Sequence, residues 1–318
     1  MEPVKLNPAF KDYLWGGTKL KTEFGKKSDL DIVAESWELS THKDGQSVVA
    51  SGKDKGVTLS EYIEKYGNKI LGRNSAAFEY FPILIKLIDA KDNLSIQVHP
   101  NDEYALKNEG EYGKTEMWYI LDAEDEAFLY YGLKENISKD EFKQRIENNT
   151  LLDVLNKVSV HKGDTFFISA GTVHAIGRGI IICEIQQNSN TTYRVYDYDR
   201  RDARGNPRQL HIEKALDVSD LFPPPALRRK ETNQFDGYSI KNLAECKYFT
   251  VDKICVSSSA TLSVTSDSFI ALNVVDGEGS LSMNGADLEL QKGDCIFIPA
   301  QDANYTVSGK LDIICSYL

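Results

Sequence analysis

Short runs in which hydrophobic and polar residues alternate are the main pattern along this chain, and they predict β-strands. In one such run, Gln97 lies between Ile96 and Val98, so its side chain faces the opposite side of the strand from theirs. The largely apolar run of residues 82–88 predicts a buried strand. Turns rich in Gly, Asn and Asp separate these runs. The pattern therefore predicts a mainly antiparallel β protein.

Two segments have the period of a helix. In the first, Thr58 and Glu61 have the spacing of a capping box, and Gly67 marks the end of the apolar face. The second is predicted over residues 138–157 and opens with an equivalent Ser-x-x-Glu pattern. We therefore expect helical segments within a chain that consists mostly of strands.

A nine-residue sequence occurs twice in the chain. Residues 162–170 read KGDTFFISA, and residues 292–300 read KGDCIFIPA, with identical residues at six positions. Self-similarity of this kind indicates a duplicated module. The three prolines at residues 223–225 separate the two copies and predict a stiff boundary. We predict a metal-binding module with helical segments in residues 1–225 and a second module in residues 226–318.

Four polar residues of the first module have the types and spacing of metal ligands. Gln97 and His99 are two residues apart on a predicted strand, so their side chains lie on the same face. Glu116 opens another apolar run, and His174 lies eleven residues after the glycine of the repeat. One amide oxygen, two imidazoles and one carboxylate form a mixed nitrogen and oxygen donor set. Such a set predicts a site for zinc or a similar divalent metal.

The second copy of the repeat lacks these polar residues. Counted from the repeat, Asn304 takes the place of His174, and Ile270 takes the place of Glu116. We therefore expect the second module to keep the strand framework and to have lost the metal ligands. A structural role follows for it, in covering the first module or in an oligomer contact.

Composition and charge narrow the class of protein. With 318 residues, of which 41% are hydrophobic and 27% charged, the chain can form one large or two smaller cores. Its formal charge of −11 argues against nucleic acid or an anionic membrane as a partner. Five cysteines without C-x-x-C spacing, and a first segment without an apolar signal core, predict a cytoplasmic protein.

The repeat, G-D-x-x-x-x-[SP]-A-x-x-x-[HN], resembles the second sequence motif of the cupins, antiparallel jelly-roll barrels that hold a metal on their inner face. Further residues resemble the type I mannose-6-phosphate isomerase family in its short bacterial form. They are Gln97-x-His99, Lys114-Thr115-Glu116, residues 171–175, and Glu184 followed ten residues later by Arg194. The resemblance covers nearly the whole chain. It implies a mainly β fold of two cupin jelly-roll modules with a helical segment inserted in the first.

The resemblance also implies roles for individual residues. The ligands of one zinc ion per chain would be Gln97, His99, Glu116 and His174. The catalytic residues would be Arg194, Glu184 and Lys114. Residues that face the sugar phosphate would be Lys86, Ser95 and Arg200. The implied reaction interconverts D-mannose 6-phosphate and D-fructose 6-phosphate, so the expected partner is a small sugar phosphate. The sequence leaves a homodimer open.

The chemistry of that reaction agrees with these residue types. Aldose–ketose isomerisation moves a proton between adjacent carbons through an enediolate, so the site must stabilise an oxyanion and transfer one proton. A divalent ion with three neutral ligands and one carboxylate keeps a net positive charge. Arg194 stays protonated and suits paired oxygens, so it is a poor base. The base is then Glu184 or Lys114. We favour Glu184, with Lys114 as a proton partner or substrate contact.

Two other functions stay open from the sequence alone. A metal-dependent cupin oxygenase more often has a His-x-His pair and iron, so Gln97 argues against it. A non-catalytic sugar-binding cupin would keep the metal but would not need Glu184, Lys114 and Arg194 together. The remaining histidines are expected to be surface residues or hydrogen-bonded core residues: His42, His161 and His211.

Overall fold

The structure is a computed structural model and describes residues 1–201, 205–226 and 230–318. In chain order the strands are β1 (Val4–Asn7), β2 (Ala9–Lys11), β3 (Glu35–Leu39), β4 (Val48–Val49), β5 (Ile83–Ala90), β6 (Ile96–Val98), β7 (Glu116–Ala123), β8 (Phe128–Leu133), β9 (Leu155–Ser159), β10 (Thr165–Ile168), β11 (His174–Ile176), β12 (Ile180–Gln187), β13 (Tyr193–Tyr196), β14 (Thr232–Phe235), β15 (Tyr238–Glu245), β16 (Thr250–Val256), β17 (Ser259–Val264), β18 (Ile270–Met283), β19 (Ala286–Gln291), β20 (Cys295–Ile298) and β21 (Ala303–Tyr317). The α-helices are α1 (Lys19–Thr22), α2 (Leu59–Tyr66), α3 (Asp102–Asn108), α4 (Lys139–Glu147) and α5 (Ile212–Val218). Short 3-10 helices cover Asn68–Leu71, Arg73–Ala77 and Leu151–Asp153. The predicted mainly β fold is confirmed.

The chain divides into two compact units, each built from segments that are separate in sequence. The first unit contains Met1–Asp12, Thr18–Leu87 and Arg228–Leu318. The second unit contains Tyr13–Gly17 and Ile88–Leu227. The two predicted modules, residues 1–225 and 226–318, stay a prediction, because the units group most of the first 87 residues with the C-terminal part of the chain.

A ten-stranded sheet forms most of the first unit. Its strand order is β14-β15-β16-β21-β18-β20-β1-β4, with β17 paired to β21 and β19 paired to β18. Strand β1 pairs with β20 in antiparallel fashion, with Val4 opposite Phe297. Hydrogen bonds therefore join the first residues of the chain to the second repeat. The buried apolar core of this sheet includes Val264, Ile270, Leu272, Leu281, Ile296, Tyr305 and Ile313.

The two repeat copies have the same backbone conformation and the same hydrogen bonds. Gly163 has a φ of 93° and Gly293 a φ of 94°, in the region that favours glycine. The Gly163 N–H donates to the carbonyl of Ile120, and the Gly293 N–H donates to the carbonyl of Val274, both at 2.8 Å. The duplication inferred from the sequence is therefore present in the backbone of each unit.

Strand pairing also places Glu116 and Ile270 at equivalent positions. In the first copy, Glu116 lies opposite Ile168, the last residue of β10. In the second copy, Ile270 lies opposite Ile298, the last residue of β20. Both partners stand five residues after the repeat glycine. Equivalent strand positions therefore hold a candidate ligand carboxylate in the first copy and an apolar side chain in the second.

The predicted equivalence of His174 and Asn304 requires a correction by one residue. Asn304 is exposed and accepts a hydrogen bond from the Ser263 hydroxyl at 2.8 Å. The next residue, Tyr305, is buried in the apolar cluster that also contains Ile270. Successive side chains on a strand face opposite ways, so Tyr305 points toward the side of Ile270. The second copy therefore has an aromatic ring beside the position equivalent to Glu116.

Two sheets form most of the second unit. Strand β7 lies between β10 and β12, and a five-stranded sheet has the order β13-β6-β11-β8-β9. Helices α4 and α5 supply Phe142 and Leu216 to an apolar cluster that includes Val98 of β6 and Ala175 of β11. Because strand side chains alternate, these helices cover the face of the five-stranded sheet opposite to Gln97. The face with Gln97 is thereby left for the polar site.

The first predicted helix is confirmed, and the second is shorter than predicted. Helix α2 has both hydrogen bonds of its capping box, and Gly67 ends it with a φ of 76°. Helix α4 ends at Glu147, and Asn149 then has a φ of 55°. An asparagine in this left-handed conformation stops the helix. Residues 155–157, predicted as helical, belong to strand β9.

Among the helices that the structure describes, none is both long enough and apolar enough to cross a membrane.

Candidate metal centre and active site

Three strands of the second unit bring four polar side chains together. His174 at the start of β11 lies opposite Gln97 of β6. His99 follows Gln97 on the same face, and Glu116 begins β7. His99, Glu116 and His174 are all buried, with 1% or less of each residue exposed. Buried polar side chains need a partner, so this arrangement requires a bound group or a strong mutual interaction.

The distances within this cluster are short. His99 Nε2 lies 3.2 Å from Glu116 Oε1, and His174 Nε2 lies 3.9 Å from Glu116 Oε2. One candidate ligand atom from each of these three residues lies within 4.8 Å of the other two. The Gln97 side-chain amide lies 3.4 Å from His174 Nε2. The four predicted ligands therefore meet in one place.

Both imidazoles are oriented by backbone carbonyls. The Nδ1–H of His99 donates to the carbonyl of Thr191, and the Nδ1–H of His174 donates to the carbonyl of Thr172, each at 2.9 Å. A carbonyl only accepts, so the proton lies on Nδ1 and the lone pair lies on Nε2. Each Nε2 is the atom that faces Glu116. Metal-binding histidines in proteins are oriented in the same way.

Charge and burial keep these residues in the forms that bind a cation. Burial lowers the pKa of His99 to about 3, and the nearby ammonium of Lys114 adds to this effect. Burial also lowers the pKa of His174. For Glu116, burial opposes ionisation, but the positive charge of Lys114 outweighs it and holds the pKa well below its usual value. Neutral imidazoles therefore face an ionised carboxylate at neutral pH.

Lys114 lies inside this cluster. Its Nζ is 2.7 Å from Glu116 Oε1 and 3.4 Å from His99 Nε2, and the residue is 4% exposed. Apart from this ion pair, neither Glu116 oxygen receives a hydrogen bond from the residues that the structure describes. A buried carboxylate with unused lone pairs, beside two imidazole lone pairs, fits a divalent metal. The residues present therefore suit a metal site.

Glu184 is connected to the cluster through Trp118. Strands β12 and β7 place Glu184 opposite Trp118, and the indole Nε1–H donates to Glu184 Oε1 at 3.0 Å. The Trp118 ring in turn contacts the His174 ring edge-on, with 5.2 Å between the ring centres. Glu184 is 3% exposed. A carboxylate held in this way has a fixed direction, as a proton-transferring group requires.

Arg194 lies opposite Gln97 in the pair of strands β13 and β6. Its Nε donates to the Ser95 hydroxyl at 3.2 Å, and its Nη1 donates to the Gln209 carbonyl at 2.9 Å. His211 holds the backbone: its Nδ1 accepts from the Arg194 N–H at 3.2 Å, and its own N–H donates to the Arg194 carbonyl at 2.8 Å. The guanidinium is therefore held in a fixed position on the strand next to Gln97.

The other two predicted substrate-binding residues lie in different places. Arg200 belongs to the second unit, and its Nη1 donates to the carbonyl of Asn93 at 2.6 Å. Lys86 belongs to the first unit, where its Nζ is 3.6 Å from Glu35 and 5.1 Å from the ring centre of Trp37. Ser95, Arg194 and Arg200 therefore lie along one short segment of the second unit. Lys86 belongs to the first unit.

Comparisons with known proteins identify the family of this chain. The family model for the catalytic domain of type I phosphomannose isomerase matches residues 4–127, and the model for the mannose-6-phosphate isomerase cupin domain matches residues 239–318. The chain is 40% identical to mannose-6-phosphate isomerase ManA of Bacillus subtilis over 318 residues, covering 100% of this chain and 99% of that protein. The chain belongs to the type I phosphomannose isomerase family.

Other relatives of the family give the same result. Mannose-6-phosphate isomerase of Streptococcus mutans is 38% identical over 316 residues, covering 99% of this chain and 98% of that protein. The crystal structure of mannose 6-phosphate isomerase from Bacillus subtilis superposes with a TM-score of 0.92 and 36% identity, covering 100% of both chains. A phosphomannose isomerase mutant from Salmonella typhimurium has a TM-score of 0.81 at 19% identity, covering 100% of this chain and 99% of that one, and shows the shared fold alone.

These matches confirm the predicted family, the cupin fold and the isomerase class of enzyme. In this member of the phosphomannose isomerase family, sequence reasoning missed two contacts of the candidate site. Trp118 lies in the apolar run that Glu116 opens, where nothing in the sequence indicates that its N–H binds Glu184. His211, predicted as a surface or hydrogen-bonded core residue, binds both backbone groups of Arg194. Neither contact has a local sequence signal, because each joins residues far apart in the chain.

Proposed function

We propose that this chain is a zinc-dependent isomerase that interconverts D-mannose 6-phosphate and D-fructose 6-phosphate through an enediolate. The order of groups along one extended segment, residues 93–99, carries this proposal. Arg200 binds the carbonyl of Asn93, Arg194 binds the hydroxyl of Ser95, and the metal cluster begins at Gln97. A sugar phosphate has its carbonyl at one end and its dianion at the other, and this order of groups suits both ends.

The metal would be held by the four side chains that meet at the ends of β6, β7 and β11. They are Gln97, His99, Glu116 and His174. A half-turn of the Gln97 amide presents its oxygen in place of its nitrogen. Three neutral ligands and one carboxylate suit zinc, which accepts nitrogen and oxygen donors and leaves a position open in catalytic sites. When bound, zinc supplies a positive charge that polarises a substrate carbonyl.

The chain's own residues then account for the proton and the developing negative charge. Arg194 is fixed by Ser95 and Gln209, and its guanidinium can donate paired hydrogen bonds to the enediolate oxygens. Glu184, held by the Trp118 N–H, is the group that we assign as base between the two carbons. Lys114 is tied to Glu116 as an ammonium and is assigned as proton partner or substrate contact. This division of roles follows from which groups can accept a proton and which carry one.

At the far end of the segment, Arg200 is assigned to the substrate phosphate, with Ser95 between Arg200 and the metal. Lys86 is retained as a phosphate contact on the family resemblance. The partner proposed is therefore a small sugar phosphate, and a second copy of the chain stays a prediction. We also propose a cytoplasmic location, supported by five cysteines that form no disulfide within the part of the chain that the structure describes.

The test is a coupled assay of fructose 6-phosphate formed from mannose 6-phosphate. The protein is assayed as purified, after dialysis against a chelator, and after Zn²⁺ is restored, with metal content measured each time. Activity that disappears with the metal and returns with zinc is expected. Full activity in verified metal-free protein would contradict the metal role, and no activity in folded, zinc-loaded protein would contradict the reaction.

A pair of histidine variants provides the matched control. His174→Ala removes a predicted ligand, so loss of bound zinc and of activity is expected. His161→Ala removes an exposed histidine, whose side chain is 82% exposed and which lies outside the cluster. This second variant should keep both zinc and activity. Equal zinc content in the two variants would show that His174 is not a ligand.

A further inference from the structure

A strained turn follows strand β13 and precedes Arg200. Its two central residues, Tyr198 and Asp199, have φ values of 56° and 53°. The N–H of Arg200 donates to the carbonyl of Asp197 at 3.0 Å and closes the turn. Two successive left-handed residues define a type I′ turn, whose central positions favour Gly or Asn. A bulky aromatic residue in this conformation is strained, and such strain persists only where the surroundings hold it.

Asp197 makes the contacts that hold this turn. The residue is 5% exposed, and its carboxylate forms an ion pair with the guanidinium of Arg200. The other carboxylate oxygen lies 3.5 Å from Nη1 of Arg208. The Arg200 guanidinium also lies over the Tyr198 ring, 5.5 Å from its centre. One buried carboxylate thus fixes two arginines that are eight residues apart in sequence.

More positive than negative charge surrounds Asp197, so the site favours an anion. Burial lowers the pKa of Arg194, and the charges of Arg208 and Arg200 lower it further, whereas Asp197 opposes them. Three guanidinium groups therefore influence one another with a single intervening carboxylate. Their charges sum to about +2, which matches a phosphate ester at neutral pH. Without Asp197 the arginines would repel one another and lose their common orientation.

We infer that Asp197 is a positioning residue, which holds Arg200 and Arg208 side by side so that both bind the substrate's phosphate. The inference rests on the proposed function, and it adds Arg208 to the residues assigned to the substrate. Asp197 itself does not touch the substrate. Its carboxylate contacts both arginines, and their remaining N–H groups are left for a dianion.

The experiment compares Asp197→Asn with Asp199→Asn in the full-length, zinc-loaded protein. Both variants remove one negative charge from the same turn. Asp199 is exposed and makes no hydrogen bond or ion pair to the described residues, so it is the matched control. We expect Asp197→Asn to raise KM for mannose 6-phosphate by about tenfold or more, with kcat changed by less than about threefold. Asp199→Asn should leave both constants near those of the wild type.

Inorganic phosphate provides a readout that is independent of catalysis. Its dissociation constant, measured by calorimetry, should increase in Asp197→Asn and stay unchanged in Asp199→Asn. This measurement separates the two proposals. If the wild type is inactive and only Asp197→Asn binds phosphate more weakly, the reaction is contradicted and the positioning role is supported. Unchanged or tighter phosphate binding in Asp197→Asn would overturn the inference, because Asp197 would then be neutral to phosphate or compete with it.

A second variant keeps the inference testable if Asp197→Asn fails to fold. Arg208→Gln removes one of the two positioned guanidinium groups, and its side chain is 30% exposed, so folding should tolerate the change. Weaker phosphate binding and a higher KM, with kcat largely retained, are expected. Phosphate affinity equal to that of the wild type would show that Arg208 does not bind the phosphate.

Discussion

Single hydrogen bonds decide the chemical form of the site residues. The carbonyls of Thr191 and Thr172 hold a proton on Nδ1 of His99 and of His174, so each Nε2 is left as a lone pair. A free imidazole would exchange between two tautomers. The backbone, rather than the two imidazoles themselves, therefore prepares them for a metal.

The proton-transferring group can be tested by isosteric substitution. Glu184→Gln keeps an acceptor for the Trp118 N–H but cannot take a proton, so kcat should fall about 10²- to 10⁴-fold. Zinc content should not change, because Glu184 is not among the candidate ligands. The measurements are steady-state kinetics and metal analysis.

Lys114→Met and Trp118→Phe complete this test. Trp118→Phe keeps an aromatic ring beside His174 and removes only the donor to Glu184, so its loss in kcat should be much smaller. If Glu184→Gln retains kcat within about tenfold while Lys114→Met loses 10²-fold or more, Lys114 is the base and our assignment is wrong.

Both copies of the repeat contain a glycine in the left-handed conformation. Each β-strand of the repeat, β10 and β20, follows a glycine with positive φ. The space around these glycines differs. A Cβ on Gly163 would meet nothing closer than the Tyr119 hydroxyl at 3.9 Å, whereas a Cβ on Gly293 would lie 2.1 Å from the Phe24 carbonyl oxygen. The same turn is therefore more constrained in the second copy.

This difference predicts unequal stability losses in a matched pair of variants. Gly163→Ala should destabilise the protein by about 1–3 kcal/mol, because alanine is strained at this φ. Gly293→Ala should lose a further ~1–3 kcal/mol, because its methyl group also collides with backbone. Chemical denaturation of both variants measures the difference. Equal losses would show that the segment around Phe24 moves aside without cost.

Contacts across the whole molecule place the first residues of the chain in one unit with the last. Within the first unit, the buried ammonium of Lys26 pairs with Glu38 at 2.6 Å and donates to the Gly293 carbonyl at 2.5 Å. Strand β1 pairs with β20, which begins two residues after Gly293. The Lys26–Gly293 hydrogen bond and the pairing of β1 with β20 link residues separated by more than 250 positions. Nothing in the proline run at residues 223–225 indicates these contacts.

Removal of the Lys26 charge should destabilise the fold in a pH-dependent way. Lys26→Met leaves Glu38 buried without its cation, which should lower the free energy of unfolding by about 3–5 kcal/mol at neutral pH. Burial raises the pKa of Glu38, and Lys26 opposes that shift, so the variant should raise this pKa further. A folded-state pKa above the unfolded value means that stability falls as pH rises.

The sign of this effect gives a direct check. The loss caused by Lys26→Met should be smallest at low pH, where Glu38 is protonated in both proteins. It should grow once the pH rises above the folded-state pKa of Glu38 in the wild type, which burial raises above the usual value. The double variant Lys26→Met with Glu38→Gln removes both charges and should recover part of the stability with little pH dependence. Urea denaturation across this range measures both. A loss that is constant with pH would contradict the ion-pair explanation.

The sequence by itself determined the local features of this protein. Alternation predicted strands, capping residues predicted the start of α2 and α4, and the spacing of Gln97 and His99 placed two candidate ligands on one face. The repeat predicted a duplicated module, and the motifs of the first module identified the family. These features depend on neighbouring residues, whose geometry the backbone periods impose.

Only the tertiary structure decided how distant segments combine. Pairing of β12 with β7 set Trp118 against Glu184, and the segment after Gln209 placed His211 on the Arg194 backbone. The fold also decided three other features: that Tyr305 rather than Asn304 corresponds to His174, that the turn after Asp197 is strained, and that both chain ends belong to one unit. Register and side-chain contacts between remote strands are set by packing as a whole, and a local pattern does not encode them.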